Sequence, residues 1–182
     1  IDVDSQAGIY TATAHFIALH HRQIGLILPP VDVAYTEYRR RGYAQALQDA
    51  AIDYQPDLVI HGDLRRSGGF ESMVHFMEHR PDITAVVCSN DLMAMGAMQA
   101  IQARGLVVGR DIAVIGFDDL PDVEYTHPSL TTVRQPIYEI GRRLVELLIP
   151  IAQGQPPQET QVLLPTELII RESCGSHNQK GD

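Results

Sequence analysis

The stretch from Thr84 to Asp119 limits what this chain can fold into more than any other part. It opens on a short apolar run rich in β-branched residues, Val86-Val87-Cys88, and passes directly into Ser89-Asn90-Asp91. Ser89 or Asn90 suits the cap of a following helix, whose first N–H groups have no partner within the helix, and Asp91 suits the positive end of its dipole. Ala94, Ala97, Met98 and Ile101 then recur at helical spacing, and Gly105 fits the residue that closes a helix. A second apolar run, Ile112 to Phe117, follows and ends in Asp118-Asp119. A strand–helix–strand unit of this kind places its strands parallel with a right-handed crossover. In open α/β sheets, ligands bind in the crevice outside the carboxyl ends of the strands. Asn90 and Asp118 are therefore expected on the floor of a small-molecule site. One polar residue after a strand is more often only a cap or a turn former. Two at neighbouring strand ends, with opposite hydrogen-bonding character, shift the balance toward a site.

The same alternation runs through the rest of the chain. Ile1 to Asp4 reads as a strand end, with the start of that strand expected upstream. Gly8 to Leu19 has helical spacing, and Gln23 to Leu28 is a strand stopped by Pro29-Pro30. Tyr35 to Ala51 is a long helix, Leu58 to Ile60 a short strand, and Ser67 is placed to cap the next helix, through Phe70, Val74 and Met77. Leu120 to Leu130 has no clear period and reads as a surface loop. Leu130 to Pro136 is extended, Ile137 to Ile149 is a helix that Pro150 should end, and Val162–Leu164 and Leu168–Ile170 are two last strands. Five alternating β-α units predict an α/β fold with a doubly wound parallel sheet. The extended crossover, helix and returning β tail add an excursion toward a second lobe.

Charge and cysteine content narrow the function classes. The formal net charge of -9 and the lack of any basic cluster beyond Arg39-Arg40-Arg41 argue against DNA binding by this stretch itself. The 2 cysteines suit free thiols in a reducing compartment rather than a disulfide. No apolar run is long enough to span a bilayer. No nucleophile–base motif, phosphate loop or dinucleotide fingerprint is present, so neither an enzyme nor a bound cofactor is expected. His20 and His21 are adjacent and would diverge on a helix, which makes a poor metal pair. Neighbouring side chains at a strand end point in alternate directions, so Asp118 and Asp119 divide into one ligand-facing and one structural carboxylate. The three consecutive arginines cannot share a helix face, so at most one is a ligand group. Arg39 is the candidate, as a planar fork aimed into the crevice.

The stretches HFIALHHRQIGLI, YRRRGYAQAL, TAVVCSNDLMAMGAMQAIQARGL, GRDIAVIGFDDL, THPSLTTVRQP and LLPTELIIRES give the chain a family likeness from about Asp4 to Ser173. In order and spacing it resembles the effector-binding core of the LacI/GalR family of bacterial transcriptional regulators. The resemblance implies a periplasmic-binding-protein-like fold of two lobes and a hinge. The second lobe would take residues 1–132 and 161–174, and residues 133–160 would be the hinge crossing and part of the first lobe. Residues 175–182 would form a frayed tail, and the DNA-binding domain is absent from this stretch. By the same resemblance, the effector ligands fall on Arg39 in R-x-x-G-Y, Asn90 in SND, Asp118 in GFDD and the hinge Gln135. Two positions depart from the pattern: His20-His21 stands where a glycine is usual, and Leu64 where some members carry an aromatic platform.

The expected function is effector sensing in the cytoplasm. A sugar or similar polyhydroxylated small molecule would control DNA binding by a missing N-terminal helix-turn-helix. The alternative is the sugar-binding protein of a transport system. The helix after Asn90 carries Met93, Met95 and Met98 around its circumference, a pattern that suits burial between sheet and neighbouring helix as well as a partner face. The resemblance implies a homodimer through this helix and the Leu120–Thr126 loop. No metal and no membrane partner are expected.

Overall fold

The computed structural model describes residues 1–156 and 161–176. Its order is β1 (Asp2–Val3), α1 (Ser5–Ala18), β2 (Ile24–Leu28), α2 (Thr36–Asp49), β3 (Val59–His61), α3 (Arg66–His79), β4 (Ala85–Cys88), α4 (Asp91–Ala103), β5 (Ala113–Asp118), β6 (Thr131–Arg134), α5 (Ile137–Ala152), β7 (Leu163–Leu164) and β8 (Glu167–Ile169). Short 3-10 turns stand at Pro56–Leu58 and Pro121–Tyr125.

Six strands form one sheet in the order β3-β2-β4-β5-β6-β8. All neighbours are parallel except β6 and β8, which run antiparallel at the edge. Strand residues alternate between two cores because successive side chains leave opposite faces of a strand. Val86, Cys88 and Val114 join Met73 and Phe76 of α3 and Met93, Ala97 and Ile101 of α4 on one face. Ala85, Val87, Ile115 and Phe117 join Ile9 and Phe16 of α1 and Tyr43 and Leu47 of α2 on the other. The Tyr43 hydroxyl, buried in that second core, donates to the Ile24 carbonyl at 2.7 Å. The doubly wound α/β sheet expected from the sequence is thus present, with helices covering both faces.

Helices α3 and α4 touch backbone to backbone. A side chain on Gly69 would collide with the Met93 backbone, and one on Gly96 with the Arg66 carbonyl. That close crossing explains the methionines. Met93 and Met98 are buried against α3 and the sheet, and Met95 is partly buried against the same cluster. The apolar surplus read as a dimer face is absorbed within the chain.

Three local expectations are corrected. Ser67 does not cap α3; the Asp63 carboxylate accepts the Arg65 and Gly68 N–H groups and the Ser67 hydroxyl, because the loop before the helix curls over its first turn. Pro150 does not end α5. It lies in the last turn, where its missing N–H costs the helix one bond without stopping it, and the helix closes beyond it with Gln153 N–H on the Ile149 carbonyl. The stretch from Leu120 to Leu130 is not wholly a surface loop, since Val123 and Leu130 are fully buried under it.

The excursion forms differently. Among the described residues β1 pairs only with β7, in a separate two-stranded parallel sheet, and α5 buries no residue. From residue 177 on, the tail expected to fray lies outside the described residues.

Candidate functional site

The carboxyl ends of β4, β5 and β6 bring together most of the predicted site. Arg39 comes from the end of the first turn of α2, on the face that packs inward, while Arg40 and Arg41 stay on the surface and pair with Glu37. The separation of the three arginines is the one their helical spacing demands. Arg39 is only 3% exposed, and its guanidinium is held between two rings, 4.3 Å from the Tyr35 centroid and 4.0 Å from that of Phe117. Its Nη1 donates to the Ser89 carbonyl, and its buried Nε has no hydrogen-bond partner among the described residues. Burial lowers its pKa to about 10, against the pull of Tyr35, Asp118 and Asp2, so it stays charged at neutral pH. A charge this deep is retained at a cost unless it is paired and hydrogen-bonded.

Asp118 answers that charge from the end of β5. Burial raises its pKa, while a hydrogen bond from Gln135, the charge of Arg39 and the N–H of Asp91 act the other way. Gln135 donates through Nε2 to the Asp118 carboxylate at 2.6 Å. Arg39, Asp118 and Gln135 therefore form one cluster of a cation, an anion and an amide. Asn90 stands beside it, next to Ser89. Its Oδ1 caps the Met93 N–H at 2.8 Å and its Nδ2 donates to the Leu64 carbonyl at 3.0 Å. A carboxamide has further hydrogen-bonding capacity beyond one bond at each end, but the capping role is the one the fold visibly uses.

Asp119 is the structural carboxylate of the pair. It accepts Arg134 Nε at 2.6 Å and Arg171 Nη2 at 2.8 Å. Burial would raise its pKa, but these two arginines reverse the shift and hold it below the usual carboxylate range. The turn they fix is strained: Asp118 has φ of 126° and Asp119 of 61°. Non-glycine residues in sparsely populated regions cost about 1–3 kcal/mol each and persist where surrounding contacts over-determine them.

Three participants were not singled out from the sequence. Tyr35 lies one helical turn before Arg39, an aromatic–arginine spacing that could have drawn attention to it. Phe117 immediately precedes Asp118 and faces the α1–α2 core, where its ring lies under Arg39. Asp91, read only as a dipole partner, is completely buried, and its carboxyl is raised to about 7, first by burial. Nothing in a linear pattern marks it. His20 does take a left-handed φ of 67°, as its place in a turn suited to glycine implies, and so does Leu64 at 67°. No group of His, Cys, Asp and Glu among the described residues could hold a metal ion. Cys88 and Cys174 are buried free thiols. A hollow of about 980 Å³ opens beside the site between β1, β7 and Tyr35, but none of the four predicted residues lines it. No helix among the described residues is long and apolar enough to cross a membrane.

Comparison with known proteins agrees with this architecture. The family described as "Periplasmic binding protein-like domain" matches residues 13–174. The HTH-type transcriptional regulator CelR of Thermobifida fusca is 34% identical over 173 residues, 95% of this chain and 51% of that protein. A solved complex of the transcriptional regulator CelR with cellobiose has a TM-score of 0.90 at 34% identity, covering 94% of this chain and 53% of the other. A LacI-family regulatory protein from Chloroflexus aggregans has a TM-score of 0.89 at 39% identity, over 94% and 62% of the two chains. A lac repressor dimer bound to operator and an anti-inducer gives 0.85 at 34% identity, over 94% and 51%. The chain spans about half the length of the curated relatives it matches. With a doubly wound lobe, a polar cluster at its strand ends and these likenesses in hand, the chain belongs to the LacI/GalR family of transcriptional regulators, as a periplasmic-binding-protein-like domain.

Proposed function

We propose that this chain is the effector-sensing part of a cytoplasmic transcriptional regulator and that Arg39, Asn90, Asp118 and Gln135 bind a sugar or a similar polyhydroxylated neutral molecule. The observation that carries this reading is the convergence of Arg39, Asp118 and Gln135, with the Arg39 guanidinium stacked between two rings and one buried N–H unused. A guanidinium only donates, a carboxylate only accepts and an amide does both, which matches hydroxyl groups that each give and take. The relative solved with cellobiose supports the ligand class.

The first lobe takes more than the residues 133–160 read from the sequence. To the apolar face of α5 we add the β1–β7 pair, read there as second lobe, because it stands apart from the six-stranded sheet. The remaining strands and helices of that lobe would come from chain outside these residues. The segment from Val133 to Pro136 is then the hinge crossing. Pro136 has its φ set by its ring and disfavours helix at Gln135, so the crossing is extended and defined at its end. Effector binding closes the lobes here, and the signal passes to an N-terminal helix-turn-helix outside the chain, which alone touches DNA. Closure transmits a signal only if the closed state holds the effector better than the open one. A homodimer is assigned to the exposed Leu92, Leu120 and Tyr125, on α4 and the turn after β5, rather than to the α4 methionines. Light scattering at micromolar concentration should report a dimer of the intact protein, and a monomer removes that part of the reading.

Calorimetry of the intact protein with cellobiose and other neutral sugars tests the site. Asp118→Asn should weaken the tightest of them by about 1.5–3 kcal/mol at most, the scale of a hydrogen bond to a charged group. An unchanged affinity takes Asp118 out of the site.

A further inference from the structure

The reading above leaves Asp91 without a function. It is fully buried at the first turn of α4, where a carboxylate needs only to be near the helix end to meet the dipole, and could do so from the surface. Instead, its two oxygens are spent on other elements. Oδ1 accepts the Thr132 hydroxyl of β6 at 2.5 Å, and Oδ2 accepts the Leu120 N–H at 2.8 Å. Its own backbone N–H helps to lower the pKa of the Asp118 carboxylate against the rise from burial. Room for this carboxyl is left by Gly116 of β5, whose missing side chain would occupy the place of Asp91 Oδ1.

These contacts bracket the strained turn. Asp118 and Asp119, both at positive φ, lie between the carboxyl-bound Leu120 and the glycine under Asp91. On the β6 side, Thr132 is paired with Gly116 in register, and Arg134 is paired with Asp118. Thr132 stands three residues before Gln135. One buried side chain therefore holds both the turn that carries Asp118 and the strand that leads to Gln135.

We propose that Asp91 is the positioning residue of the crevice. It touches no ligand, and its buried carboxyl locks the β5 turn to β6 so that Asp118 and Gln135 meet in one geometry. This rests on the crevice being the effector site. Asparagine is the conservative variant, since its amide oxygen can accept the Leu120 N–H while its amide nitrogen donates to the Thr132 hydroxyl oxygen. Alanine removes both contacts, and Gly116→Ala displaces the carboxyl without altering it.

The test is amide hydrogen exchange of the intact protein, first without ligand. In Asp91→Ala and in Gly116→Ala, peptides covering residues 117–121 and 131–135 should exchange at least tenfold faster. Those from β2 and α3 should stay within twofold of the unsubstituted protein. Asp91→Asn should restore the local rates to within about twofold. Acceleration spread evenly over the whole lobe, or an asparagine variant that behaves like alanine, overturns the proposal. The same measurement is then made on the unsubstituted protein with cellobiose and galactose. If neither protects residues 117–121, the effector reading suffers while the ligand-free comparison still decides the role of Asp91. If Asp91→Ala unfolds altogether, Gly116→Ala carries the comparison, and local rates unchanged in it sink the idea.

Discussion

Helices α4 and α5 carry similar amounts of apolar side chain, yet they end in opposite states. α4 buries eight of its residues between α3 and the sheet. α5 buries none, and Leu144, Leu148 and Ile149 remain 42%, 58% and 53% exposed. The α5 pattern is the more regular of the two, a clean apolar stripe backed by Glu139, Arg142, Arg143 and Glu146 paired on its polar side. A stripe therefore specifies that a helix has something to bury, and not that the chain supplies what buries it. The six-stranded lobe closes its own two cores. The β1–β7–α5 arm presents a face that fits the first lobe proposed above.

The largest effect that would break this comparison lies in the lobe. Phe76→Ala on one face and Phe16→Ala on the other each remove a fully buried ring. Each is expected to cost about 3–5 kcal/mol, read as a fall in the urea midpoint. A loss below about 1 kcal/mol at either position would mean that its core is not closed in the way described.

A smaller effect follows from pH. Burial holds the Asp91 carboxyl up at about 7, with the charges of Asp118 and Asp119 adding to the rise, against the Thr132 and Leu120 hydrogen bonds. A raised folded pKa means that the fold favours the neutral form. The stabilisation is full below the ordinary carboxylate range and is lost as pH rises through about 7. Asp91→Asn cannot ionise, so its stability relative to the unsubstituted protein should climb by about 1–3 kcal/mol between roughly pH 4 and pH 7 and level off above. Unfolding curves at several pH values measure it, and a difference independent of pH would show that Asp91 is charged throughout at little cost.

The smallest effect should come from the arm. Leu148→Ser in this 182-residue chain should change stability by no more than about 0.5 kcal/mol, as for other exposed positions. The same change in the intact protein should cost about 2 kcal/mol, once the first lobe covers the face. Equal and negligible costs in both settings would remove α5 from that lobe.

Much of the lobe is legible in the sequence because its rules are local. Strand runs, helical spacing, the Asn90 cap and the left-handed Gly105 all act over a few residues, so they can be read from a few residues. Arg39 could be separated from Arg40 and Arg41 by helical geometry alone. The polar strand ends Asn90 and Asp118 pointed to the crevice because sheet topology fixes where strand ends meet. What failed to show was decided by partners distant in sequence. Asp63 displaced Ser67 because a loop folded over a helix end. The α4 methionines turned inward because two glycines let α3 approach. Asp91 became a lock because residues 29 and 41 positions away delivered an N–H and a hydroxyl to it. The chain's pattern determined which side chains seek burial or a hydrogen bond. Only the tertiary structure decided which group meets each of them, because that depends on through-space proximity that no periodicity encodes.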